Sequence, residues 1–83
     1  PEISRFLGIV IRIITGIIRR LIFMPHGDYE IKVEIGTGII NGRFPKRALS
    51  AVLEWHDLHQ LELLEDWRRA ENRETLNTIP PLE

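Results

Sequence analysis

An α+β fold is predicted for this chain: a small antiparallel sheet of about three strands, covered by one long C-terminal helix, or by two with a kink near His59. Three observations predict it. The N-terminal half is dense in Ile and Val, whose branched Cβ favours strands. "YEIKVEI", Tyr29 to Ile35, alternates apolar and polar at the strand period of two. From Pro45 to Glu71, residues Leu49, Val52, Leu53, His56, Leu63, Leu64 and Trp67 fall on one stripe at helical spacing.

The elements follow in order. Ile3 to Ile14 reads as a first strand, with Thr15-Gly16 as a break. Ile17 to Met24 is a second apolar segment with poor alternation, and Pro25-His26-Gly27-Asp28 is a turn signal. The next strand puts Tyr29, Ile31, Val33 and Ile35 on one face and Glu30, Lys32 and Glu34 on the other, as in a half-buried antiparallel strand. Gly36-Thr37-Gly38 turns the chain, Ile39-Ile40 adds a short strand, and Asn41 to Pro45 leads into the helix. Pro45 suits the first turn, where a missing N–H costs nothing. Trp67 lies on the apolar stripe and is expected in the core. Trp55 lies off it and is expected at the sheet edge or against a partner. "NTIPPLE" reads as a polar tail.

Eighty-three residues, 43% hydrophobic and 28% charged, make one small globular domain at the size where a single core barely suffices. A net charge of −1 gives no global pull toward nucleic acid or anionic membrane. With no cysteine there is no disulfide and no thiolate chemistry, and a cytoplasmic location is the default. Ile9 to Phe23 is long enough for a short membrane span, but Arg12, Arg19 and Arg20 interrupt it. Each would cost about 2.5–3.5 kcal/mol near the bilayer centre, so no membrane insertion is expected.

Glu54, His56, Asp57 and His59 form the one polar cluster with ligand-capable side chains. His56 and His59, a helical turn apart, are candidates for sharing a metal, although a site needs a third ligand as well. The alternative places His56 at the core edge and His59 in solvent. No metal and no cofactor is therefore expected. Arg43, Lys46 and Arg47 surround the helix start, where cations oppose the helix dipole. They form either a solvated basic corner or an anion and nucleic-acid site. Glu62, Glu65, Asp66 and Glu71 make the second half of the helix acidic. No Ser–His–Asp order, P-loop or dinucleotide loop occurs, and Gly36-Thr37-Gly38 is too short to cradle phosphate. The catalytic residues, if the chain has any, are unknown.

"PEISRFLGIVIR", "GDYEIKVEI", and "FPKRALSAVLEW" with "ELLEDWRRA" and "IPPL" together resemble a bacterial family, the domain of unknown function 4160. The resemblance covers residues 1–12 and 27–82. Between them the family carries tyrosines and a histidine-rich Pro-His-Phe-His-Ala segment, where this chain has "IITGIIRRLIFMP". Codons for Leu21 to Pro25 exist that give Pro-His-Phe-His-Ala when read one base over. The expectation is an apparent frame shift across about residues 13–25, with compensating shifts on either side. Only His26 remains in that region.

The resemblance implies a small intracellular protein encoded beside a second small protein, in pairs that look like toxin–antitoxin modules. The expected function is an interaction module of such a pair. It would bind a protein partner through a surface including the acidic half of the helix, and nucleic acid through Arg43, Lys46 and Arg47, with Arg12, Arg19 and Arg20 adding charge. One alternative is a small metal-dependent hydrolase or nuclease whose histidine motif is lost in this chain. Another is a homo-oligomer whose apolar run forms an interface.

Overall fold

The structure is a computed structural model that describes residues 2–14 and 20–82. Among these residues lie five strands and two helices: β1 (Glu2–Phe6), β2 (Ile9–Ile13), β3 (Leu21–His26), β4 (Tyr29–Glu34), β5 (Ile40–Arg43), α1 (Lys46–Leu58) and α2 (Gln60–Glu71). The strands form one antiparallel meander in the order β1-β2-β3-β4-β5. The α+β class is as predicted; the sheet of about three strands and the single long helix are not.

The expected first strand, Ile3 to Ile14, is a hairpin. Leu7 and Gly8 both take positive φ, 53° and 73°, as a two-residue type I′ turn requires. Leucine rarely enters that region, so Gly8 is the turn's single composition signal. In β2, Ile9, Ile11 and Ile13 face inward while Val10 and Arg12 face out. In β3, Ile22 and Met24 are fully buried on the inner face, and Phe23 is half-buried on the outer. Six paired residues fix the β3–β4 register, from Leu21 opposite Glu34 to His26 opposite Tyr29. The part of the apolar segment before Arg20, with the Thr15-Gly16 break and Arg19, lies outside the described residues.

β4 is the strand its alternation predicts: Ile31 and Val33, and Ile35 just beyond, are buried, while Tyr29 at the rim is half-exposed. The Gly38 N–H donates to the Glu34 carbonyl, and the Glu34 N–H to the Ile39 carbonyl, closing the predicted turn into β5. Gly42 sits opposite Ile31 at φ +113°, and a Cβ there would run into the Glu30 carbonyl oxygen. Only glycine lets β5 approach β4 so closely.

The predicted long helix breaks at His59, whose backbone leaves helical geometry at φ −117°, ψ 26°. Its N–H still closes α1 on Trp55, and its carbonyl accepts from Leu63 to open α2. Pro45 precedes α1 as its cap residue. The buried stripe of α1 is Ala48, Val52, Trp55 and His56, rotated from the stripe expected through Leu49 and Leu53. The roles of the two tryptophans are thus exchanged. Trp55 is 0% exposed and packs on Phe6 with ring centroids 5.8 Å apart, whereas Trp67 is half-buried beneath the Arg20 guanidinium, 4.7 Å from its centroid.

The tail is not a polar appendage. Ile79 is buried at 3% exposure, and its N–H donates to the Ile3 carbonyl on the outer edge of β1. Trp55 Nε1–H donates to the Pro80 carbonyl at 2.9 Å, and the Asn77 N–H donates to Asp66 Oδ1 at 2.8 Å. Residues 77–80 therefore strap the core and cover part of an otherwise open strand edge.

Asp66, expected among the exposed acids of the helix, is 0% exposed, and its second carboxylate oxygen has no partner among the described residues. Burial pushes its carboxyl above the ordinary aspartate value, against the Asn77 N–H, which favours the ionised form. A raised folded-state pKa stabilises the fold below the ordinary value, and that contribution is lost as pH rises through the raised one. The midpoint of urea unfolding should therefore fall as pH rises above the ordinary aspartate range, and Asp66→Asn should flatten that fall. An equal fall in wild type and variant would refute the assignment to Asp66.

Candidate nucleic-acid interface

Cross-strand register, more than any loop, builds the candidate site. All sheet residues of the hydrophobic core face the helices and tail. On the opposite face Arg12, Phe23, Lys32 and Asn41 lie directly across from one another on β2, β3, β4 and β5. Side chains so paired stand about 4.5–5.5 Å apart at Cβ. Arg12, Lys32 and Asn41 are exposed, and Phe23 lies half-buried between the two cations. The neighbouring row pairs Glu30 with Arg43, both exposed. Beside it a cavity of about 220 Å³ is lined by Glu30, Ile31, Lys32, Asn41 and Gly42.

Arg43, Lys46 and Arg47, predicted from sequence as the anion-binding corner, are all exposed across the β5–α1 connection. The first turn of α1 contains no acidic residue and receives no side-chain cap. Arg12, Lys32, Arg43, Lys46 and Arg47 form no ion pair among the described residues. Of the other arginines proposed to add charge, Arg20 turns to the helix side over Trp67, and Arg19 lies outside the described residues.

The acidic half of the helix behaves differently. Arg68 grips Glu65 at 2.8 Å and Glu74 at 3.1 Å, and Arg69 reaches Glu65 at 2.9 Å. The Arg68 hydrogen bonds hold the Glu65 carboxyl down at about 2, and those acids in turn raise Arg68. Glu62 is bonded to His59, and Asp66 is buried. Of the acidic surface expected to meet a protein partner, Glu65 is paired and Asp66 buried, while Glu71 is exposed and forms no ion pair among the described residues. Leu58 and Leu61, 65% and 83% exposed, flank the helix break beside it.

The histidines are not drawn into one site. His56, at 2% exposure, donates through Nε2–H to the Ile35 carbonyl at 2.6 Å, beside a second donor, Gln60 Nε2, at 2.8 Å. This is the core-edge position weighed against metal binding; the other ring nitrogen, Nδ1, lies 3.5 Å from Asp57 Oδ1. His59 is bonded through Nδ1 to Glu62 and stacks near Trp55 at 5.3 Å, so it is not the solvated side chain expected. His26 donates through Nδ1–H to the Gly8 carbonyl at 3.2 Å, tying β3 to the β1–β2 turn. No group of three or more His, Asp or Glu side chains suited to a metal occurs among the described residues. No helix among them is long and apolar enough to cross a membrane.

Sequence reasoning found the Arg43–Arg47 corner but missed Phe23 and Asn41 as site residues. The strand period alone turned Lys32 outward. Joining it to Arg12 and Phe23 needed the register of three strands.

The fold defines a small α+β domain with one face of its sheet packed on helices; on the other, among the described residues, Arg12, Lys32 and Arg43 stand beside Glu30 and Glu34. The chain belongs to the family described as domain of unknown function DUF4160, whose model matches residues 22–68. That match spans β3 through most of α2. No curated protein and no solved structure matches the chain.

Proposed function

We propose that this domain is a binding module of a cytoplasmic, toxin–antitoxin-like protein pair, and that it binds nucleic acid through its open sheet face and the adjoining start of α1. One observation carries the reading: Arg68 and Arg69 are engaged by Glu65 and Glu74, while Arg12, Lys32, Arg43, Lys46 and Arg47 form no ion pair among the described residues. Net charge conceals this separation. Cations so placed gain by releasing condensed counterions from a polyanion, so binding must be steeply salt-dependent. Five phosphate contacts predict a slope of about −3.5 in log K against log salt for a single strand, or about a hundredfold weakening from about 50 to about 200 mM. Fluorescence anisotropy of labelled oligonucleotides measures it. Replacing Arg43, Lys46 and Arg47 together by Ala should flatten the slope to about −1.4. A salt-independent signal would remove the reading.

A protein partner fits the exposed Leu58–Leu61 corner better than the paired Glu65 and buried Asp66 beside it. This is where we place the second member of the pair.

A metal-dependent hydrolase that has lost its motif is the other reading, and the strand register supports it in one respect. In the shifted frame the two histidines of Pro-His-Phe-His-Ala fall at positions 22 and 24, both inward, with phenylalanine kept at 23. In this chain those positions are Ile22 and Met24, fully buried against the apolar core, and they carry no imidazole chemistry. The coding DNA and an intact mass test the shift. A mass near 9.7 kDa with no one-base register recovering the histidines would sink it.

A further inference from the structure

We infer that the open face of the sheet takes single-stranded nucleic acid, with one base stacked on Phe23 and a neighbouring base edge read by Asn41 and Glu30 in the cavity beside Gly42. The inference rests on the nucleic-acid reading above and narrows it to a class of ligand and a second kind of contact.

The row Arg12–Phe23–Lys32–Asn41 places an aromatic ring between two cations that form no ion pair among the described residues, on a face that no described helix covers. A base presents a flat π-face that such a ring can stack on, whatever its identity, while the flanking cations meet the phosphates. A duplex keeps those faces buried in its own stack. Its major groove admits a helix or a two-stranded ribbon, not the broad face of a five-stranded sheet.

Glu30 argues further. The face carries two acids, Glu30 and Glu34, on either side of Lys32, so it is not a purely phosphate-binding surface. Glu30 lines the cavity together with Lys32 and Asn41. Carboxylates accept from the exocyclic amine of cytosine, and an Asn amide pairs with the edge of adenine. The cavity floor is the Gly42–Ile31 pair, where any side chain on residue 42 would collide with the β4 backbone. At about 220 Å³ the space equals that of about seven waters in the liquid, enough for a planar heterocycle. β3 and β5 lie about 10 Å apart, two strand spacings, so neighbouring nucleotides of an extended strand reach Phe23 and the cavity together.

The test is anisotropy with the full chain and labelled single strands of DNA and RNA, each as A-rich, C-rich and T- or U-rich sequence, against the matching duplexes at one salt concentration. Single strands should bind at least about tenfold tighter than duplex, with A- or C-rich sequences ahead. Phe23→Leu, which keeps an apolar side chain without the π-face, should weaken single-strand binding by about tenfold and leave the salt slope unchanged. Asn41→Ala, at an exposed position with little bearing on the fold, should erase the base preference. Equal binding of single strands and duplex, with neither variant changing it, would overturn this inference and leave the cationic surface standing. No binding of any oligonucleotide at low salt would overturn both. The DNA and RNA arms show which sugar the face prefers.

Discussion

Trp55→Ala should lose about 3–5 kcal/mol, the usual cost of truncating a buried large aromatic residue. For a domain of this length the whole stability is about 4–12 kcal/mol, at about 0.05–0.15 kcal/mol per residue. The variant should therefore be barely folded or unfolded at room temperature. Trp55 is the only fully buried aromatic residue among those described. It contacts β1 through Phe6, α2's approach through His59, and the tail through the Pro80 carbonyl. Removing the indole leaves a cavity where sheet, helix break and strap meet, and that junction cannot collapse from one side alone. Urea unfolding followed by circular dichroism measures the loss. Trp55→Phe separates its causes: most of the apolar volume stays, but the Pro80 carbonyl loses its donor, at about 1–3 kcal/mol if it stays buried. A Trp55→Ala protein with a nearly unchanged midpoint would mean that the indole is not central to the core.

The importance of Trp55 was hidden in the sequence for a physical reason. An apolar stripe read over the whole of residues 45–71 averages two helices whose faces are set separately by the break at His59. No proline or glycine marks that break. The β1–β2 turn escaped because Leu7 takes the left-handed conformation against its usual preference, leaving Gly8 as a lone turn residue inside an apolar run. Where the pattern was clean the reading held. The alternation of Tyr29 to Ile35 gave β4, and Pro45 fixed the start of α1 to within a residue. The basic corner at Arg43, Lys46 and Arg47 was legible because its residues are close in sequence. Arg12, Phe23, Lys32 and Asn41 are spread over thirty positions, and only strand register makes them neighbours. Charge neutralisation was likewise a matter of geometry: Glu65 and Arg68 could be paired from their spacing, but Glu74 joins them only because the chain turns back after α2.

The same junction gives the second large effect. Ile79→Asp should release the strap without unfolding the sheet. A carboxylate cannot stay in the apolar site of Ile79, since an unpaired buried charge costs far more than the docking of a few residues returns. The chain has a cheaper response, which is to let residues 77–82 leave the surface. The loss in stability is then capped by the docking free energy, which includes about 1.5–3 kcal/mol for burial of the isoleucine. Three observables should move together. Trp55 should become accessible to acrylamide, its indole N–H having lost Pro80, and the Ile79 amide should lose the protection given by the Ile3 carbonyl. Asp66 should lose the Asn77 N–H and gain water, which eases the burial that raises its pKa. The pH dependence of unfolding should therefore weaken as it does in Asp66→Asn. Because Trp55 and the strap share one hydrogen bond, Trp55→Phe and Ile79→Asp should cost less together than the sum of their separate losses. Strict additivity, or protected Trp55 in Ile79→Asp, would show that the tail lies on the core without holding it.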